Sequence, residues 1–69
     1  MSEVNITLNG EPHQIEENTT VSALLEQLGM GGRPVVVELN KEALFPRQFA
    51  ETVVPNQAIL EIVSIVAGG

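Results

Sequence analysis

The most apolar segment of the chain reads AILEIVSIV and covers residues 58–66. A near-continuous aliphatic run of this length is typical of a strand that lies inside a sheet rather than at its edge. Side chains alternate along a strand, so Leu60, Ile62 and Val66 fall on one face. Val63 and Ile65 fall on the other. We therefore predict that the last strand, about residues 58–66, is the central one.

The N-terminal end predicts a β-hairpin. Aliphatic and polar residues alternate over Val4–Leu8, which is the period of a half-buried strand. Asn9-Gly10 follows directly, and both residues tolerate the positive φ that a type I′ turn requires. A second strand is expected from about Glu11 to Ile15. Pro12 cannot donate a ladder hydrogen bond, which makes this strand a candidate edge strand.

One amphipathic helix is predicted after the hairpin. Its apolar face is formed by Val21, Leu24, Leu25 and Leu28. Thr20 (or Thr19) is the expected N-cap, and Gly29 is a suitable residue for the left-handed position that ends a helix. The glycine-rich stretch Gly29–Gly32 follows this helix, whereas a phosphate loop precedes one. We interpret the stretch as a C-cap and a connection, and assign it no function.

The middle of the chain alternates short elements and turns. In order these are a strand with Val35, Val37 and Leu39, a turn at Asn40-Lys41, a short strand at Ala43–Phe45, a helical turn from Pro46 to Phe49, and a turn at Pro55-Asn56. The whole order is hairpin, helix, strand, short strand, helical turn and long strand. It predicts an α+β fold in which a mixed sheet of four to five strands packs on one main helix.

If the last strand runs parallel to the first in the middle of that sheet, the arrangement is a ubiquitin-like β-grasp. We expect one domain over residues 1–69, since a chain this short buries only roughly 60% of the surface that it exposes when unfolded. The terminal residues 67–69 are predicted to form a flexible Gly-Gly tail.

The charge balance limits the possible partners. Nine acidic residues against three basic ones give a net charge of −6. Nucleic acids and anionic membranes attract basic surfaces, so we expect neither as a partner. The apolar C-terminal segment is shorter than the roughly 20 residues that span a bilayer, and the acidic N-terminus is unlike a signal peptide. We therefore expect a cytoplasmic protein that is monomeric when free.

The available side chains argue against an enzyme. The chain has no Cys, Asp, Tyr or Trp and a single histidine, His13. A serine triad would have to combine His13 with Ser2, Ser22 or Ser64, which the patterns place in different elements. One imidazole among scattered glutamates is an equally weak metal site. We predict no catalytic residues, no metal and no bound cofactor.

The C-terminal tail offers a more specific chemistry. The chain ends in Val66-Ala67-Gly68-Gly69, with side chains that shrink toward the terminus. Glycine lacks a Cβ, so the tail can approach another protein's backbone closely. The unhindered carboxylate of Gly69 can attack the α-phosphate of ATP, and a persulfide can capture the acyl-adenylate to give a thiocarboxylate. Gly69 is thus the candidate covalent carrier, while Ala67, Gly68 and Gly69 are expected to thread into a partner.

Three local patterns have counterparts in one family. Thr20-Val21 opens a helix that continues with Leu24-Leu25, the segment Leu44–Ala50 is similar to a V-P-R-x-x-(W/Y/F) motif, and Glu61-Ile62-Val63 precedes the Val-Ala-Gly-Gly tail. With the length and the element order, they resemble the ThiS family, the sulfur carriers of thiamin thiazole biosynthesis. One departure is Pro55-Asn56-Gln57, where the family often has Gly-Asp.

The resemblance implies a set of partners. Gly69 would be adenylated by a ThiF-type adenylyltransferase, which uses the ATP, and a sulfur donor such as a cysteine desulfurase would supply the sulfur. The thiocarboxylate would then deliver it to a ThiG-type thiazole synthase.

A docking surface is predicted from the last strand. Only one of its faces can meet the helix, so the other carries aliphatic side chains to solvent unless a partner covers them. Val63 and Ile65, extended by Val36, form the candidate partner-docking face. The pattern leaves open which face of the strand is exposed, and isolated exposed aliphatic residues are also normal.

Three other functions remain open at this stage. A molybdopterin-synthase small subunit of the MoaD type shares the fold and the tail, although such chains tend to be longer, with prolines before the glycines. A ubiquitin-like modifier would join Gly69 to a lysine of its target. A non-catalytic binding module would use the sheet face alone and would not need the two terminal glycines.

Overall fold

A computed structural model describes residues 2–65. The elements are β1 (Glu3–Leu8), β2 (Glu11–Glu16), α1 (Val21–Gln27), β3 (Val35–Leu39), β4 (Glu42–Leu44), a 3₁₀ turn (Pro46–Gln48) and β5 (Ile59–Ser64). The strands form one sheet in the order β2-β1-β5-β3-β4. β5 is parallel to β1, and the other neighbours are antiparallel. The predicted mixed sheet on one helix is confirmed as a β-grasp arrangement, with β5 in the middle.

The N-terminal hairpin forms as predicted. Asn9 and Gly10 have φ values of 50° and 84°, and Leu8 pairs with Glu11 across this two-residue turn. β2 is the edge strand that Pro12 indicates. It extends one residue beyond the predicted end, because Glu16 still pairs with Glu3.

The helix is held at both ends by the residues that the sequence indicates. The Thr20 side chain accepts a hydrogen bond of 3.1 Å from the Ala23 N–H. At the other end Gly29 has a φ of 76°, and its N–H donates to Glu26. The Met30 N–H donates to the Leu25 carbonyl at 2.8 Å, which completes a Schellman motif. The helix has seven residues, or about two turns.

The core lies between α1 and the inner face of the sheet. Its buried residues are Ile6, Ile15, Val21, Leu24, Leu25, Val35, Val37, Val54, Ala58, Leu60 and Ile62. Leu24 and Leu60 are completely inaccessible to solvent and are the largest of its fully buried side chains. β5 thus turns Leu60 and Ile62 toward the helix. β5 ends at Ser64, two residues before the predicted end, and Val66 lies outside the described residues.

Two asparagine side chains extend the pairing of β5 where its neighbours turn away. The Asn9 amide accepts a hydrogen bond from the Ile62 N–H at 2.8 Å and donates to the Ile62 carbonyl at 3.2 Å. On the opposite edge, Asn40 accepts from the Ile59 N–H at 2.9 Å. These amides satisfy backbone groups of β5 that lie beyond the ends of β1 at Leu8 and β3 at Leu39. The sequence pattern identifies both asparagines only as turn residues.

The short strand β4 begins and ends one residue earlier than predicted. Asn40 and Lys41, with φ values of 51° and 73°, form a two-residue turn that places Glu42 directly opposite Leu39. Strand pairing therefore begins at Glu42. It ends before Phe45, because the Phe45 N–H donates to the Gln48 side chain at 2.7 Å and starts the 3₁₀ turn.

The turn before β5 contains a strained residue. The Ala58 N–H donates to the Pro55 carbonyl, and Gln57 between them has a φ of 68°. A side chain in this left-handed region costs roughly 1–2 kcal/mol relative to glycine. The turn is fastened to β1, since the Asn5 N–H donates to the Asn56 side chain at 2.9 Å.

Replacing Gln57 with glycine is expected to stabilise the protein. Relief of the strained φ exceeds the added entropy of the unfolded chain, so the free energy of unfolding should rise by roughly 0.5–1 kcal/mol. Urea unfolding followed by circular dichroism measures it. Gln57→Ala keeps the Cβ and should show no such gain; an equal gain would mean that the strain lies elsewhere.

Candidate functional site

The proposed carrier residue, Gly69, lies outside the described residues, as do Ala67 and Gly68. The structure does describe the end of the strand that precedes this segment in the sequence. Ser64 is paired with Val35 at the end of β5, and the Ile65 N–H donates to the Pro34 carbonyl at 2.9 Å. The backbone is therefore held to the neighbouring strand up to the last described residue.

The predicted docking residues share one exposed surface at the same end of the sheet. Val63 is 59% exposed, Ile65 54% and Val36 41%, and Val36 lies directly across from Val63 in the β3–β5 register. The register places Val36 and Val63 on the face opposite the helix, and Ile65 follows Val63 two residues later, just beyond the paired residues. We call these three residues the docking face. The structure decides the point that the sequence left open, since the face with Leu60 and Ile62 is the buried one.

An aromatic side chain that was not among the predicted docking residues lies beside this surface. Phe45 is 60% exposed, and its extended backbone continues the alternation of β4, which places it on the outer face with Ala43. The Arg47 guanidinium lies 4.7 Å from the centre of the Phe45 ring, within the range of a cation–π interaction. The alternation within the predicted short strand Ala43–Phe45, which places Phe45 on the same face as Ala43, was the signal that could have identified it.

A mainly apolar cleft opens at the same end of the molecule, on the helix side of the sheet. Its volume is about 540 Å³, and it lies between the end of α1, the loop that begins at Met30 and the segment Pro46–Phe49. Ile65 forms part of its wall. The last described residue therefore separates two apolar surfaces, the docking face and this cleft. No sequence pattern indicates the cleft, since its walls come from three distant segments.

The other candidate residues lie apart from this end of the sheet or are occupied by structural contacts. His13 is half-buried on the edge strand opposite Ile6. Within residues 2–65, no three residues of the His, Cys, Asp and Glu types are grouped as a metal site would need. In the same part of the chain, no helix has the length and apolar character to cross a membrane.

The helix N-terminus is closed by the rest of the fold. The Val21 N–H donates to the Thr52 carbonyl at 2.9 Å, and the Ser22 N–H donates to the Phe49 carbonyl at 3.0 Å. With Ala23 bonded to Thr20, these donors have partners within the protein and are not available to bind an anion. The glycine-rich stretch has a structural role, because Gly29 and Gly32 adopt positive φ values of 76° and 78°.

Comparison with known proteins places these features in a family. The family model described as the ThiS family matches residues 6–69, from the first strand through the terminal glycine. The chain belongs to the ThiS family. A crystal structure of the thiamine biosynthesis protein ThiS from Geobacter metallireducens has a TM-score of 0.81 and 33% identity; the match covers 96% of this chain and all of that one.

The curated relatives include proteins of about the same length as this chain and proteins that are much longer. The sulfur carrier protein ThiS of Thermus thermophilus is 31% identical over 64 residues, which cover 93% of this chain and 98% of that protein. A thiazole synthase of Magnetococcus marinus is 36% identical over 66 residues, which cover 96% of this chain. The chain spans only 20% of that thiazole synthase, so a ThiS-like segment forms part of a much longer protein there.

Proposed function

We propose that this chain is a sulfur carrier for thiazole formation in thiamin biosynthesis, and that its working group is the carboxylate of Gly69. The observation that carries the proposal is the ThiS family match, which runs to the terminal glycine. The exposed docking face beside the start of the tail supports it, since a carrier must bind the enzymes that act on it. The chain is then a substrate of partner enzymes and needs no catalytic side chain of its own.

The chemistry takes place in partner active sites. A carboxylate oxygen of Gly69 attacks the α-phosphorus of ATP and releases pyrophosphate, which leaves an acyl-adenylate. A persulfide sulfur then displaces AMP, and attack of a thiol on the acyl disulfide leaves a thiocarboxylate at Gly69. Activation as a mixed anhydride is what turns a stable carboxylate into an acceptor for sulfur. When that sulfur is transferred, an oxygen from water or from the sulfur acceptor takes its place and regenerates the carboxylate, so the carrier can be used again.

Three partner enzymes follow from this cycle. A ThiF-type adenylyltransferase activates the tail, a donor such as a cysteine desulfurase provides the persulfide, and a ThiG-type thiazole synthase consumes the sulfur. The thiazole synthase is supported by the relatives from Magnetococcus marinus and Paramagnetospirillum magneticum, which bear that name and contain a segment similar to this chain. We place the cycle in the cytoplasm, where ATP is available.

Complementation tests the pathway. In a bacterium that lacks its own thiamin sulfur carrier, expression of this chain is expected to restore growth without added thiamin. Expression of the same chain in a strain that lacks the small subunit of molybdopterin synthase serves as the comparison. Rescue of molybdenum-cofactor formation without rescue of thiamin synthesis would overturn the pathway assignment, and would favour the MoaD-type alternative.

The docking face predicts the effect of one surface charge. Ile65→Glu places a carboxylate in the apolar docking face, so affinity for the ThiF-type adenylyltransferase should fall by about tenfold or more, which corresponds to at least about 1.4 kcal/mol. The free energy of unfolding should change by no more than about 0.5 kcal/mol, since the side chain is exposed. Calorimetric titration and urea unfolding measure the two quantities.

Val53→Glu is the matched control for that variant. Val53 is 47% exposed, but it lies in the loop before β5 and pairs with Thr20 at the start of the helix, away from the docking face. The Val53→Glu variant should bind the ThiF-type adenylyltransferase with the same affinity as the wild-type chain. Unfolding of the Ile65→Glu protein, or equal losses of affinity in both variants, would contradict the assignment of the docking face.

A further inference from the structure

The register of the sheet places glutamate directly opposite glutamate at two positions. Glu38 of β3 is paired with Glu61 of β5, and Glu3 of β1 is paired with Glu16 of β2. Both pairs lie on the outer face, because their neighbours along the strands face the core. The five described strands contain no lysine or arginine. The strands therefore contribute acidic charges to the outer face in two pairs, and the Arg47 guanidinium lies over the Phe45 ring beside them.

Such an arrangement costs stability in the free protein. Like charges directly opposite each other on neighbouring strands are destabilising, whereas opposite charges at such positions stabilise a sheet. The fold itself does not require glutamate at these outward-facing positions. A polar or cationic residue at either position of a pair would satisfy the same alternation. A partner that places positive charge beside a pair would offset the repulsion between its two carboxylates.

The pair Glu38–Glu61 differs from the other by its position. It lies two register positions from Val36–Val63, which is the next pair on the same face of the sheet. The docking face is therefore continuous with two adjacent carboxylates. Glu38 is half-buried and Glu61 is exposed, so these charges lie at the border of the apolar surface.

We infer that Glu38 and Glu61 form the electrostatic part of the docking face and meet a pair of cationic side chains on the ThiF-type adenylyltransferase. The inference rests on the proposed function and adds the chemistry of the partner. A basic partner surface complements the net charge of −6 and the acidic sheet, and it removes the repulsion between the two carboxylates on binding. Complementary charges of this kind speed diffusional encounter and fix the register of the complex. The apolar residues of the docking face become buried in the complex, and the acidic pair sets the orientation of the two proteins.

The double variant Glu38→Gln with Glu61→Gln tests the inference in two ways. In the free protein the urea midpoint should rise, because the repulsion is removed while size and polarity are kept. Affinity for the adenylyltransferase should fall by about tenfold at low salt, mainly through slower association. Binding of the variant should also depend less on salt than binding of the wild-type chain. A higher midpoint together with weaker binding is not expected from a purely structural role.

The double variant Glu3→Gln with Glu16→Gln is the control. It removes the same number of charges from the same face and relieves an equivalent opposed pair, but at the other side of the sheet. Its midpoint should rise, and its affinity should remain that of the wild type. Equal loss of affinity in both double variants would overturn the inference in favour of a general effect of net charge, and unchanged affinity in both would also overturn it.

Conversion of the wild-type chain to the thiocarboxylate distinguishes a failure of this inference from a failure of the proposed function. If the wild-type chain is converted to the thiocarboxylate but the Glu38–Glu61 variant binds normally, only the acidic pair loses its role. If the wild-type chain is never converted by an active adenylyltransferase, the proposed function itself fails.

Discussion

Leu60→Ala is expected to lower the free energy of unfolding by about 2–5 kcal/mol. Leu60 is completely buried, on the central strand, with neighbouring strands on both sides and α1 above it. Its truncation removes apolar contact and leaves a cavity that the surrounding sheet cannot close. Domains are stable by only about 5–15 kcal/mol, and a domain this small belongs near the lower end. The variant should therefore lose much of its stability.

Urea unfolding followed by far-ultraviolet circular dichroism measures this loss, since the chain has no tryptophan or tyrosine to report by fluorescence. Ile59→Ala is the matched control, because Ile59 precedes Leu60 on the same strand but is 48% exposed. Its effect should stay within about 0.5 kcal/mol. Equal effects of the two variants would mean that the inner and outer faces of β5 are assigned wrongly.

Deletion of Gly69 is expected to reduce thiocarboxylate formation at least about 100-fold, because a misplacement of about 1 Å at a reacting group already costs that much. The new terminus at Gly68 still carries a carboxylate, but the tail is shorter by about 3.5 Å. An active site that receives a thread-like tail to a fixed depth would then hold the carboxylate too far from the α-phosphate. The rate of pyrophosphate release with the ThiF-type adenylyltransferase measures the effect.

Ala67→Gly serves as the control for tail length. It keeps the number of residues and the terminal carboxylate, and it removes only a methyl group, so the rate should remain close to that of the wild-type chain. The urea midpoints of both variants should stay close to that of the wild type, since one change removes a single glycine and the other a single methyl group. A deletion variant that is adenylated at the normal rate would show that tail length does not set the position of the reacting carboxylate.

Local signals account for most of the fold. Asn9-Gly10 determines the hairpin, and Thr20 and Gly29 define the helix ends, because each acts through hydrogen bonds or dihedral angles within a few residues. The continuous aliphatic character of β5 indicates its central place. The C-terminal end of β4 depends instead on the Gln48 side chain, which takes the N–H that would have continued the strand.

Features that depend on distant pairing could not be predicted. The bonds between the Asn9 amide and Ile62 join residues 53 positions apart, and no local pattern indicates them. The opposition of Glu38 and Glu61 likewise requires the register of two strands that are separated by the 3₁₀ turn and a long loop. For the candidate site, the sequence pattern indicates Val36, Val63 and Ile65, but only the packed helix shows that their face is exposed.

The central claim is that the Gly69 carboxylate becomes a thiocarboxylate. An intact mass spectrum of the full chain after incubation with a ThiF-type adenylyltransferase, ATP and sulfide tests it most directly. We expect an ATP-dependent mass increase equal to the replacement of one oxygen by sulfur, located by fragmentation at Gly69. An unchanged mass, with an enzyme that converts another ThiS-family carrier under the same conditions, would contradict the claim.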